Sequence, residues 1–189
     1  MALVGTPAPT FTADAALNGD VVSFDLEAHR GKWVCLFFYP LDFTFVCPTE
    51  LVAFNDAAEK FAALNTTLAA VSVDSVHTHL AWLRTPRSEA GVGELAYPLI
   101  SDLGKDIAAA YGVLSGPVAL RGLFLIDPEG TVQHATINNL SVGRNVNEVL
   151  RTLEAFQFTV EHGEVCPANW SKGDSGMAAT LDGVKQTIG

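Results

Sequence analysis

Cysteine is scarce in this chain, and its placement excludes more than it allows. Cys35, Cys47 and Cys166 form no C-x-x-C pair, so neither a zinc ribbon nor a thioredoxin-type dithiol can be built from them. An odd, sparse set is no structural disulfide framework either. Basic residues are few: 11 Lys and Arg stand against 21 Asp and Glu, a formal charge of −10. Phosphate backbones need a surplus of Lys and Arg on some surface, so nucleic acid is not an expected partner. Long hydrophobic runs are missing as well. The longest, residues 33–41, includes Pro40 and falls well short of the roughly 20 residues of a bilayer span. No run of basic residues suggests an anionic membrane surface. The N-terminus, Met1-Ala2-Leu3-Val4-Gly5-Thr6-Pro7, has neither a basic n-region nor an apolar h-region. These absences lead to the expectation of a cytoplasmic globular protein with no cofactor, no metal and no membrane partner.

What is present alternates between two periods. Segments near 11–15 and 21–24 flank Asn18-Gly19, the strongest short hairpin signal. The apolar, aromatic run 33–39 reads as a central strand buried on both faces. Leu51, Phe54, Ala58, Phe61 and Leu64 then recur at helical spacing, placing a helix start close to Pro48. A strand over 67–73 follows, then a helix capped by Ser75 that runs to about 84 and stops before Pro86. Residues 99–100 make a short strand, and Asp102 caps a helix over 107–111 ending at Gly112. Strands over 121–126 and 131–137 are joined by the turn Asp127-Pro128-Glu129-Gly130. Asn145, with Glu148 three residues on, opens a final helix to about 160. A parallel crossover half followed by an antiparallel hairpin and a closing helix describes an α/β, thioredoxin-like fold with an N-terminal β-hairpin. The expected organisation is a thioredoxin-like domain over 1–163 and a C-terminal extension of little periodicity over 164–189.

Cys47 stands immediately before Pro48, at the C-terminal end of the central strand, the edge where open α/β sheets place their ligands. The first turn of a helix has unpaired N–H groups and a partial positive charge, which favour a thiolate. Free cysteines are also common as small buried hydrophobes. Position alone leaves both readings open.

The motifs resolve the choice by resemblance. Pro40-Leu41-Asp42-Phe43-Thr44-Phe45-Val46-Cys47-Pro48-Thr49-Glu50 resembles the peroxidatic loop of peroxiredoxins, with its P-x-x-x-T-x-x-C core. Glu164-Val165-Cys166-Pro167-Ala168-Asn169-Trp170 resembles the resolving-cysteine motif of the typical two-cysteine group. Arg121-Gly122-Leu123-Phe124-Leu125-Ile126-Asp127 and Val142-Gly143-Arg144 are similar to further segments of that group, which includes the peroxidase component of bacterial alkyl hydroperoxide reductase. The resemblance implies a thiol-dependent peroxidase for hydrogen peroxide and alkyl hydroperoxides. In it Cys47 would be the nucleophile that becomes a sulfenic acid, and Thr44 would hydrogen-bond the thiolate and the peroxide. Arg121 would stabilise the developing charge, Pro40 would shield the sulfenic acid, and Glu50 and Arg144 would form a network positioning Arg121. Cys166 of a partner subunit would resolve the oxidised sulfur as a disulfide. The implied partners are a peroxide, thioredoxin or a flavoprotein disulfide reductase, and a second copy of the chain in a homodimer that assembles into a decamer. Holdase-type chaperoning and a thiol redox relay are the alternative activities.

Other candidates read as structural. Cys35, inside the apolar strand, is expected to pack rather than react. His77 and His79 lie two apart on a predicted helix, hence on different faces, and make poor metal co-ligands. Gly91-Val92-Gly93-Glu94-Leu95-Ala96 matches G-x-G-x-x-A but precedes a strand, so it is no nucleotide loop. Overoxidation-sensitive peroxiredoxins carry Gly-Gly-Leu-Gly and a C-terminal helix with Tyr-Phe. This chain has Ala90-Gly91-Val92-Gly93 and ends Gln186-Thr187-Ile188-Gly189, which by resemblance implies an enzyme that resists overoxidation.

Overall fold

The computed structural model describes residues 3–189. They fall into two compact units, Met1–Arg144 and Asn145–Gly189. In the first unit the chain starts with the expected hairpin: β1 (Thr12–Leu17) pairs antiparallel with β2 (Asp20–Asp25). Asn18 and Gly19 both hold positive φ, 53° and 84°, the pair of left-handed residues a type I′ turn requires. β3 (Trp33–Phe38) is buried at every position. Helix α1 (Cys47–Asp56) and helix α2 (Ala58–Ala63) follow, then β4 (Thr66–Ser72), α3 (Val76–Arg84), β5 (Leu99–Ser101) and α4 (Asp106–Ala110). Two short strands, β6 (Leu114–Ser115) and β7 (Val118–Ala119), precede β8 (Arg121–Ile126) and β9 (Val132–Asn138).

Seven strands form one sheet in the order β2-β1-β5-β4-β3-β8-β9. β3, β4 and β5 run parallel through crossover helices, while β8 and β9 add antiparallel on the other side of β3. This is the thioredoxin-like α/β arrangement the element order predicts. β3 is central because its two faces pack differently. Val34, Leu36 and Phe38 enter a cluster with Tyr111, Phe124 and Ile126. Phe37 points the other way and stacks on Phe54 of α1, ring centroids 4.2 Å apart, with Tyr97 at 5.7 Å. The Tyr97 hydroxyl donates to the Leu51 carbonyl at 2.7 Å, so α1 is pinned to the sheet at mid-length. The predicted cap at Ser75 holds, its hydroxyl accepting from the Thr78 amide; at α4 the N-cap position is Lys105, and Asp102, three residues earlier, supplies the carboxylate that accepts from the amides of Ile107 and Ala108.

Three features depart from the expected elements. The helix after Pro48 is interrupted at Ala57 (φ −99°, ψ 1°), although the apolar spacing continues across the break as a Phe54–Phe61 ring contact of 6.1 Å. The β6–β7 ribbon, turning at Gly116 (φ 59°), is too short to leave a periodic signal. In the second unit, α5 (Val146–His162) begins at Asn145, whose side chain accepts from the amides of Asn147 and Glu148, and ends on Gly163 at φ 68°. The tail beyond it is not aperiodic. Val165 and Met177 form an antiparallel bridge, and α6 (Leu181–Ile188) is capped by Thr180, whose hydroxyl accepts from the Gly183 amide. Gly183, a weak helix former, stands in the middle of α6 and hides its 3–4 spacing of Leu181, Val184 and Ile188.

Gly122 sits beside Arg121 in β8 because only hydrogen fits there: a Cβ would lie 2.5 Å from Val113 Cγ1 and 3.2 Å from Phe124 Cε2. Gly122→Ala is expected to destabilise the protein by about 1–3 kcal/mol through overpacking, read as a lower urea midpoint with an unchanged slope.

Candidate active site

Cys47 is the first residue of α1 and is fully buried. No side chain caps the helix there: Val46 precedes it in helical backbone, and the Val46 carbonyl accepts from the amides of Thr49 and Glu50 at 3.1 and 3.3 Å. Pro48 brings no N–H to the first turn. The sulfur therefore sits at the positive end of the helix. Arg121, at the start of β8, donates from Nη1 to Cys47 Sγ at 3.5 Å and to Glu50 Oε2 at 2.6 Å, while its Nε donates to the Leu140 carbonyl at 2.8 Å. Its side chain is only 3% exposed, so this donor geometry is set by packing.

Glu50, one turn along α1 and equally buried, is held from both sides. Arg144 donates to Oε1 from Nε at 2.7 Å and from its backbone amide at 2.8 Å, and to Oε2 from Nη2 at 3.0 Å. Arg144 Nη1 donates to the carbonyls of Phe38 and Gly122 at 2.9 and 2.7 Å. The guanidinium also lies over the Phe37 and Phe54 rings, 5.1 and 5.8 Å from their centroids, a cation–π contact. Two guanidinium charges thus face one carboxylate in the interior.

The remaining expected residues divide between the units. Pro40 is buried where the chain leaves β3. Thr44 is half-buried, and its hydroxyl donates to the Leu41 carbonyl at 2.9 Å, which leaves its oxygen lone pairs free to accept. In the second unit Cys166 is partly buried, its thiol donating to the Ala155 carbonyl at 3.5 Å. Burial pushes the Cys166 thiol up, partly offset by the positive charge of Arg151. Arg151 in turn donates to the Trp170 carbonyl at 2.6 Å and is paired with Glu148. All three cysteines are free thiols. Cys35 packs in the middle of β3 as expected, and burial pushes its thiol up to about 12.

One buried polar cluster lies outside the site residues expected from the sequence. His79 on α3 is fully buried; its Nδ1 lies 2.7 Å from Asp42 Oδ2, and its Nε2 lies 3.2 Å from the Ile100 carbonyl. The Tyr39 hydroxyl donates to Asp42 Oδ1 at 2.7 Å. The Asp42 amide donates to Asp74 Oδ2 at 2.8 Å, and the same oxygen accepts from the Ser72 hydroxyl at 3.0 Å. The available signal was His79 at core-facing helical spacing with Val76 and Leu83, together with a lone Asp42 in an apolar stretch.

Comparison with known proteins shows what the chain is similar to. A model of the AhpC/TSA family matches residues 4–135, and a model described as the C-terminal domain of 1-Cys peroxiredoxin matches residues 155–189. Peroxiredoxin-2 of Rattus norvegicus is 51% identical over 185 residues, 97% of this chain and 93% of that protein. The chloroplastic 2-Cys peroxiredoxin BAS1 of Hordeum vulgare is 51% identical over 187 residues, 97% of this chain and 89% of its own length. Among solved structures, the reduced 2-Cys peroxiredoxin of Plasmodium vivax superposes with a TM-score of 0.97 at 44% identity, covering 100% of this chain and 99% of that one. AhpC of Enterococcus faecalis gives 0.83 at 38% identity, covering 88% and 100%.

Cys35 has a consequence for alkaline stability. Its folded pKa, about 12, lies above the roughly 8.5 of an unfolded thiol, so the folded state binds the proton more tightly. Below about pH 8.5 both states are protonated and nothing is lost. Above it the unfolded thiol ionises first, and stability falls by up to about 1.4 kcal/mol per pH unit from this group. Cys35→Ala is expected to flatten the fall between pH 8.5 and 10 in urea titrations. An unchanged slope would count against the assignment.

Proposed function

The chain belongs to the AhpC/TSA family of peroxiredoxins, and we propose that within it Cys47 is the peroxidatic cysteine of a two-cysteine cycle. The enzyme is a thiol-dependent peroxidase. The observation that carries the residue assignment is the Arg121 contact to Cys47 Sγ, made by a guanidinium that Glu50 and the Leu140 carbonyl hold in place.

The chemistry follows from these positions. A peroxide, ROOH, meets the Cys47 thiolate; sulfur attacks one oxygen, the O–O bond breaks, and the products are Cys47–SOH and ROH once the leaving oxygen takes a proton. Among the described residues Arg121 Nη2 makes no protein hydrogen bond, so its N–H groups can meet the negative charge that grows on the departing oxygen. The Thr44 hydroxyl, its own proton on Leu41, accepts the hydrogen of the incoming peroxide. Pro40 keeps one side of the sulfur dry. The Glu50–Arg144 pair positions Arg121 and does not touch the substrate.

The second half of the cycle belongs to Cys166. Its thiol attacks the sulfenic sulfur of Cys47 in a partner subunit, forming the disulfide and releasing water. Bridging requires the two Cα atoms within about 7 Å, and Cys47 is fully buried, so the first turn of α1 opens before the sulfurs meet. The disulfide is then reduced by thioredoxin or by a flavoprotein disulfide reductase. The cytoplasm, where thiols are kept reduced, suits that cycle. Self-association is a feature of related structures, one of which, Plasmodium yoelii Prx1a modified at its N-terminus, forms an artifactual octamer. A homodimer assembling into a decamer is the form proposed here.

Cys47→Ser is expected to abolish peroxide consumption. Cys166→Ser should consume one equivalent and then stop with no intersubunit disulfide; undiminished cycling with a dithiol protein reductant would remove Cys166 from the mechanism. The Ala90-Gly91-Val92-Gly93 sequence, in place of Gly-Gly-Leu-Gly, favours disulfide formation over further oxidation. Mass spectrometry after peroxide titration is expected to find little sulfinic Cys47 at low peroxide excess, and its accumulation there would contradict that expectation.

A further inference from the structure

The segment from Pro40 to Val46 joins β3 to the helix that starts at Cys47, and its two ends are held by different chemistry. At the Cys47 end the hold is ionic, through Arg121 and Glu50. At the other end it is Asp42, 6% exposed, fixed from three directions. The Tyr39 hydroxyl reaches Oδ1 from the end of β3, His79 reaches Oδ2 from α3, and Asp74 takes the backbone amide from the β4–α3 connection. Each support is itself braced: Asp74 by the Ser72 hydroxyl and, at its carbonyl, by the Ser101 hydroxyl at 2.7 Å, His79 by the Ile100 carbonyl. That carbonyl can only accept, so Nε2 of His79 carries a hydrogen and a single proton lies between Nδ1 and the Asp42 carboxyl. Between the two holds the chain is poorly anchored. Phe43 has φ 52°, a backbone region costly for an aromatic residue, with its ring 5.7 Å from Trp82. Phe45 is 93% exposed.

We propose that Tyr39, Asp42 and His79 are positioning residues that set how often the Cys47 segment opens, and thereby divide oxidised Cys47 between disulfide and sulfinic acid. This rests on the two-cysteine reading. In the closed segment, Cys47–SOH can meet only a second peroxide, giving Cys47–SO2H and ROH. In the opened segment it meets the Cys166 thiol, giving the disulfide and water. The Asp42 clamp favours the closed form without touching the sulfur, so its strength moves the ratio of the two products while leaving the first oxidation nearly alone.

The test uses the full chain and three conservative variants. Tyr39→Phe deletes one hydroxyl and leaves Asp42 Oδ1 without that donor. Asp42→Asn keeps the clamp, because its amide can accept from Tyr39 and donate to His79 Nδ1. Tyr111→Phe removes a hydroxyl that donates to the Pro9 carbonyl at 2.9 Å and serves as a matched loss of core hydrogen bonding elsewhere. In the reduced protein without peroxide, Tyr39→Phe is expected to speed amide exchange over residues 42–46 about three- to tenfold, the factor appropriate to one neutral hydrogen bond. The Cys47–Cys166 disulfide should form faster, and sulfinic acid per peroxide dose should fall, by a similar factor. The rate constant for peroxide attack should stay within about twofold, since the closed form still dominates. Asp42→Asn should resemble the parent, and Tyr111→Phe should lower the melting temperature without changing the ratio. Unchanged exchange over 42–46 in Tyr39→Phe, or an equal shift in Tyr111→Phe, overturns the proposal. A parent protein that forms no Cys47–Cys166 disulfide overturns the two-cysteine reading instead, and the exchange result still judges the clamp.

Discussion

Glu50 carries a charge that the interior of this domain could not hold alone. An isolated buried carboxylate is costly by several kcal/mol, and even a paired one is tolerated only when its remaining lone pairs are satisfied. Here both oxygens are, by Arg121 on one side and by the side chain and amide of Arg144 on the other. The consequence is architectural as much as electrostatic. Because Arg144 also holds the carbonyls of Phe38 and Gly122, one charged cluster ties the end of β3, the start of α1 and the start of β8 into a single unit. Cys47 sits inside that unit with a guanidinium 3.5 Å from its sulfur. These three side chains place an excess of one positive charge beside the buried sulfur.

Cys47 is fully buried, and as the proposed nucleophile it suits a small substrate and obstructs a large one. In the proposed cycle a peroxide meets Cys47 with the segment closed, and a second protein thiol meets it only with the segment open. The proposed cycle therefore calls for a part that opens without unfolding the rest, and such parts come from the low-stability end of a structure. Residues 40–46 have that character: two firm holds, at Asp42 and at Cys47, around a strained Phe43 and an exposed Phe45. The β3 strand behind them is buried on both faces and stacked on α1 through Phe37 and Phe54. Rigidity and release are thus separated along the chain by only a few residues.

Much of this was legible beforehand, for identifiable reasons. The Asn18-Gly19 turn, the caps at Ser75 and Asn145, and the strand around Cys35 are local: each depends on backbone preference or on a run of like residues, and each stands where the sequence predicts. The interruption at Ala57, the β6–β7 ribbon and helix α6 were not visible. The first keeps its apolar spacing across the break, the second is two residues a side, and the third has a glycine in its middle. His79 was set aside because two histidines two apart cannot share a metal, which is sound but answers a narrower question than what a buried imidazole pairs with.

By itself the sequence determined the order of elements, the candidate nucleophile and the residues grouped around it by resemblance, because periodicity, capping and motif spacing are properties of neighbours along the chain. It could not decide which groups meet. Arg121, Glu50 and Arg144 are far apart along the chain, as are Tyr39 and His79, and their pairing follows only when β8 and β4 have taken their places beside β3. Burial makes those meetings consequential. The same ions and hydroxyls on a surface would be screened by water and worth little, whereas in the interior each must find its partner, and the partners then fix where Cys47 sits.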